Sequence, residues 1–191
     1  MKKIIIFTYS EIACKLAEDL KISGAYDVWT ISDEENADIQ IRPHEPADIL
    51  ALLKAIDVDG MPIDAILFDS KSFEAKKMLV GETELPDPFE SKDQFHHTVI
   101  TPLMLILYGI EFGRFSETTR IVFLQHEIVN IVYQMCQGCQ SQLSSYIADQ
   151  EAREFVSNIV VESREADESS LLAAGRRFLL EATSSGKVLV Y

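Results

Sequence analysis

The chain has 191 residues, 47% of them hydrophobic and 25% charged, which suits one globular domain able to bury its own core. Its net charge of −14 disfavours nucleic acid and anionic membrane surfaces as partners, because both are polyanions. Three cysteines, Cys14, Cys136 and Cys139, make no disulfide framework, and no stretch approaches the roughly 20 apolar residues of a membrane helix. The apolar run after Met1, Lys2 and Lys3 is a strand's length and too short for a signal peptide, so a reducing cytoplasm is the expected setting.

Short apolar, β-branched runs predict strands at 3–8, 26–31, 39–42, 65–68, 120–124, 157–161 and 188–191. Helical spacing lies between them. Ile12, Leu16 and Leu20 recur at i, i+4, i+8, while Ile49, Leu52, Leu53 and Ile56 follow the capping candidate Asp48. Further on, Leu171, Leu172, Phe178 and Leu179 line a helix begun by Ser169 or Ser170. The polar stretch 71–92, with Gly81, Pro86 and Pro88, reads as a surface loop or a short irregular excursion, and 164–168 as an acidic loop. Nearly all-apolar strands alternating with helices imply a parallel sheet covered on both faces, and right-handed crossovers make it a doubly wound, Rossmann-like α/β domain spanning 1–191.

Several fragments in chain order carry a resemblance. Glu11, Ile12 and Ala13, followed by Leu16, Ala17 and Leu20, look like a G-I-G-x-x-x-A-x-x-L helix start. Gly24, Ala25, Tyr26, Asp27 and Val28 look like a G-A-x-V entry into a second strand, and Ile63, Asp64, Ala65, Ile66 and Leu67 like G-x-I-D-x-L-V. Residues 94–104 resemble a fourth helix with Thr98 at its usual asparagine, Arg120, Ile121 and Val122 resemble G-R-I-V, and 179–190 resemble a closing F-L … I-T-G-Q-x-L-x-V. Taken together they make the chain similar to the short-chain dehydrogenase/reductase family, which implies that family's Rossmann-like sheet and helices.

The same resemblance shows what is missing. A dinucleotide needs a tight first turn whose backbone approaches the pyrophosphate at a helix N-terminus. The three glycines of the family's T-G-x-x-x-G-x-G align here with Tyr9, Glu11 and Ala13, although Thr8 is kept. Tyr9 is bulky where glycine fits, and Glu11 either brings a carboxylate toward the phosphates or is a first-turn acid complementing the helix dipole. The family's N-N-A-G turn aligns with Phe68, Asp69, Ser70 and Lys71, and the acid after its third strand with Arg42. Asp33, after the second strand, reads as a ribose-binding acid or a plain loop acid.

In the family a tyrosine donates the proton, a lysine lowers its pKa, a serine polarises the carbonyl and an asparagine organises water. The best match to Y-x-x-x-K places Tyr133 at the tyrosine and Gln137 at the lysine, and the serine's strand end reads Gln125, His126. A neutral amide cannot stabilise a tyrosinate, so Tyr133 reads as a vestige or an ordinary half-buried helix residue. His126, at a strand's carboxyl end, is either a site residue or a surface or capping group. Cys136 and Cys139 form a CxxC without the second pair of a zinc site and inside a continuing helix, which favours core cysteines over redox chemistry. The four histidines, including His44, His96 and His97, show no metal-ligand spacing.

Residues 99–110 are apolar on nearly every face, which implies burial against the sheet or pairing with another chain. The family's dimer bundle uses this helix and the next, so Leu103, Ile106, Leu107, Ile110 and Tyr133 are candidate interface residues, and strand 188–191 a candidate second contact. Two readings follow. One is a non-catalytic subunit that binds no NAD or NADP and works as a homo-oligomer or beside an active homologue. The other is an oxidoreductase or other enzyme of altered chemistry, using Tyr133 and His126 with Thr98 or Ser70; a weak NAD(P)H-dependent reductase stands third.

Overall fold

The computed structural model describes the chain apart from residues 42–44, 58–59, 70–76, 81–82, 87–91, 93, 127–130, 150–154, 163–166, 182–185 and 191. Its elements are β1 (Lys2–Phe7), α1 (Glu11–Ser23), β2 (Tyr26–Ser32), β3 (Ile39–Gln40), α2 (Pro46–Ile56), β4 (Ile63–Asp69), β5 (Lys77–Val80) and β6 (Thr83–Pro86). A π-helical turn (His96–Ile100) then enters α3 (Thr101–Glu111), followed by β7 (Phe115–His126), α4 (Ile131–Ala148), β8 (Val156–Glu162), α5 (Glu168–Leu180) and β9 (Gly186–Val190). Seven strands form one parallel sheet in the order β3-β2-β1-β4-β7-β8-β9, so the expected doubly wound fold is the observed one.

Alternation along each central strand builds the two cores. Ile5, Phe7, Ile66, Phe68, Ile121 and Phe123 face the layer that contains α2 and α3. Ile4, Ile6, Ala65, Leu67, Val122 and Leu124 face the layer that contains α1 and α5. Burying each such side chain contributes roughly 1.5–3 kcal/mol, which explains why the central strands carry almost no polar residue.

Four local expectations are corrected. The 71–92 stretch contains an antiparallel hairpin, β5 paired with β6, rather than a plain loop. Asp48 is not the cap of α2 but its third residue; Glu45 holds the cap position and its N–H donates to Asp48 Oδ2 at 3.0 Å. Helix α5 is capped by Asp167, which accepts from Ser170 N and from both serine hydroxyls, so Glu168 belongs to the helix and not to a loop. Strand β7 starts at Phe115, well before 120, because Thr119 Oγ1 donates to Ile63 O at 2.8 Å and seats the polar half of the strand beside β4. Arg42, His44, Ser70, Lys71, Glu127 and Tyr191 lie outside the described residues.

Candidate functional site

The carboxyl ends of β1, β4 and β7 lie side by side, where open α/β sheets hold their ligands. Beneath them runs an aromatic row. Phe68 stacks on Phe7 at 5.2 Å and on Phe123 at 5.5 Å, one ring from each of the three strands. Phe68 thus serves the core at the position where the resembled family begins its N-N-A-G turn.

Asp69, the last residue of β4, has no exposed side-chain surface. Its Oδ2 accepts hydrogen bonds from Tyr9 N at 2.9 Å and Ser10 N at 2.5 Å, and its Oδ1 lies 2.8 Å from His126 Nε2. With Asp69 ionised, Nε2 is the protonated ring nitrogen. The turn between β1 and α1 therefore closes on a carboxylate of the same chain. Ser10 caps α1, its Oγ accepting from Ala13 N at 3.3 Å.

The three turn positions Tyr9, Glu11 and Ala13 serve different ends. Tyr9 lays its ring against Phe7 and edge-on to the buried His97, at 6.3 and 5.6 Å. Ala13, in the first turn of α1, is buried. Glu11 points away from the turn, 80% exposed and 2.8 Å from Lys15, whose hydrogen bond and charge hold its carboxyl below the usual range. Glu11 is a solvent-exposed acid in the first turn of α1. Asp33 is half-buried in the segment after β2.

Tyr133 and His126 do meet, but through the backbone. The His126 N–H donates to Tyr133 Oη at 3.1 Å, and Gln137 Nε2 donates to His126 O at 2.8 Å. The tyrosine and the residue in the lysine's place thus hold the two sides of one peptide position at the end of β7. Tyr133 is fully buried rather than half-buried, and the His126 side chain is 14% exposed, so His126 does not have the surface role weighed for it. Gln125 Nε2 donates to Gln140 Oε1 at 3.0 Å, Gln140 Nε2 to Thr98 O at 2.8 Å, and Gln94 Nε2 to Thr98 Oγ1 at 2.6 Å. Gln125 of β7 and Gln140 of α4 are thereby linked to Gln94 through Thr98.

A cavity of about 250 Å³ lies along α1, lined among others by Thr8, Cys14, Glu18, Lys21, Ser32 and Glu34. Burial raises the Cys14 thiol, and the charges of Asp69, Glu34, Glu18 and Glu11 raise it further. Cys136 is buried, which pushes its thiol up to about 11, but Cys139 is exposed and so is not the core cysteine expected. Both sit within α4, away from a helix N-terminus. Among the described residues no group of three or more His, Cys, Asp or Glu is placed to hold a metal ion, and no helix is long and apolar enough to cross a membrane.

The candidate interface residues divide. Ile106 is only 2% exposed and Tyr133 is fully buried, so both side chains serve the subunit's own interior; Leu103 and Ile110 are half-buried and Leu107 is 48% exposed. Asp69 is the site residue that sequence reasoning passed over. Its signal was an acid ending the strand that neighbours both the β1 turn and β7.

No protein-family model and no curated protein matches the chain. Solved structures do. An oxidoreductase of the short-chain dehydrogenase/reductase type from Brucella ovis matches with a TM-score of 0.76 at 15% identity, over 100% of both chains. A short-chain dehydrogenase from Leptospira borgpetersenii with bound NAD+ matches at 0.78 and 14%, over 99% of this chain and 91% of that one. Another from Burkholderia cenocepacia in complex with NADP matches at 0.79 and 12%, over 99% and 96%. At these identities the likeness is one of fold. The chain has the Rossmann-like fold of the short-chain dehydrogenase/reductases.

Proposed function

We propose that this chain is a non-catalytic subunit of short-chain-dehydrogenase fold that binds neither NAD nor NADP and acts by associating with itself or with an active homologue. The observation that carries the reading is the Asp69 carboxylate on the Tyr9 and Ser10 amides, the turn that would otherwise face a pyrophosphate. A phosphate charge brought within about 4 Å of that carboxylate meets a repulsion on the order of 4 kcal/mol, or roughly a thousandfold in affinity. Glu18 of α1 and Glu34 after β2, which line the neighbouring cavity, add to it. Tyr133 and Gln137 are committed to the His126 backbone, which supports the loss of the proton relay as well.

Association is supported by charge. Two copies carrying −14 each repel unless the faces that meet are free of acids. Helix α4 has no charged residue in its 18, and Met135 and Tyr146 on it are 68% and 60% exposed. On α3, Leu107 is exposed as well. Calorimetric titration with NADH and NADPH tests the cofactor reading: no saturable heat is expected, and a micromolar dissociation constant overturns it. Light scattering tests the assembly, with a dimer or larger species expected that Leu107→Glu or Met135→Glu converts to monomer. A monomeric wild type removes self-association and leaves only the heteromer.

One observation favours a second reading. An imidazole oriented by a carboxylate that is itself fixed by two amides is the arrangement of a general base, so His126 and Asp69 suit an enzyme of altered chemistry. Turnover of a carbonyl compound with NADPH, abolished by His126→Ala in a protein that still folds, would favour that reading instead.

A further inference from the structure

The turn after β1 has the parts of a small-oxyanion site. Tyr9 N and Ser10 N converge on one oxygen at the start of a 13-residue helix, whose N-terminal dipole favours negative charge. His126 Nε2 approaches the second oxygen from β7. Both oxygens belong to Asp69, 3% exposed at the end of β4. Because β4 lies between β1 and β7, a short acid on its last residue is the side chain that can reach both neighbours at once. We propose that Asp69 is an intrachain ligand: it occupies an oxyanion site formed by Tyr9 N, Ser10 N and His126, and so closes that site to carboxylate or phosphate from outside. The proposal rests on the reading above in one respect only, the nucleotide phosphate as the molecule excluded.

Two of the three donors are backbone amides, so they stay in place when the side chain is cut back. Asp69→Ala removes a carboxylate and leaves a space suited to formate, and formate is the probe. Thermal melts of wild type, Asp69→Ala and Asp69→Asn are compared in formate and in chloride at equal ionic strength. Asp69→Ala is expected to melt below wild type and to recover part of the loss in formate, with saturation. Wild type and Asp69→Asn, whose sites are filled, are expected to show no formate-specific gain. Absence of a saturable gain in Asp69→Ala, or an equal gain in all three proteins, overturns the proposal.

Should Asp69→Ala not fold, Asp69→Asn carries the test through amide hydrogen exchange. Loss of the charged acceptor is expected to speed exchange at Tyr9 and Ser10 on the order of tenfold. Unchanged protection there overturns the proposal. The two claims fail separately: rescue without effect while wild type still refuses NADH removes the ligand role alone. Formate rescue together with NADH binding by wild type removes the proposed function alone.

Discussion

Replacing Tyr133 by phenylalanine separates a structural tyrosine from a catalytic one. The ring is fully buried and stays so in the variant; only the oxygen that accepts the His126 N–H at 3.1 Å is lost. Removing the acceptor of this part-buried donor costs about 1–3 kcal/mol. For a chain of this size each kcal/mol lowers Tm by about 2–4 °C, so Tyr133→Phe is expected to melt about 2–12 °C below wild type. Circular dichroism follows the melt, and urea unfolding with an unchanged slope checks that the loss is one of stability. A tyrosine retained for proton transfer behaves oppositely, because its hydroxyl serves a substrate and its removal leaves the fold intact. Identical melting of the two proteins refutes the structural role.

Gly109→Ala is expected to destabilise although alanine is the better helix former by about 0.8–1 kcal/mol, because its Cβ falls 2.4 Å from two carbons of the Phe115 ring and overpacking costs about 1–3 kcal/mol. Gly138→Ala in α4, with nothing within 4 Å, is the control and is expected to stabilise the monomer; a Gly109→Ala protein that melts at or above wild type contradicts the packing. Asp167→Ala tests a pH dependence. Hydrogen bonds from Ser169 and Ser170 hold the Asp167 carboxyl down at about 2, so its contribution is complete above the unfolded value near 3.8 and fades as pH falls toward 2. The Tm gap between wild type and Asp167→Ala is expected to be constant near neutrality and to narrow between those two values; a gap that ignores pH contradicts the cap.

The sheet was legible because parallel strands buried on both faces are written as unbroken apolar runs, as at Ile4, Ile5, Ile6 and Phe7. The first half of β7 was not, since Ser116, Thr118 and Thr119 read as loop until Thr119 is seen bonded to Ile63 O. The β5–β6 hairpin escaped because strands of four residues are too short to display a period. Absence of the turn glycines was plain in Tyr9, Glu11 and Ala13, but the Asp69 carboxylate on which the turn closes was not. Asp69 meets Tyr9, Ser10 and His126 across separations of 60, 59 and 57 residues, which no local pattern records. Tyr133 accepts a hydrogen bond from a backbone N–H that spacing alone cannot place.

We propose that the β1–α1 turn, closed on the Asp69 carboxylate, does not take a cofactor's phosphate. The amide resonances of Tyr9 and Ser10 report on this most directly, followed by 15N–1H correlation spectra while NADPH is added into the millimolar range. Both resonances are expected to stay where they are throughout the titration. Saturating shifts at Tyr9 and Ser10 with a micromolar midpoint would contradict the account.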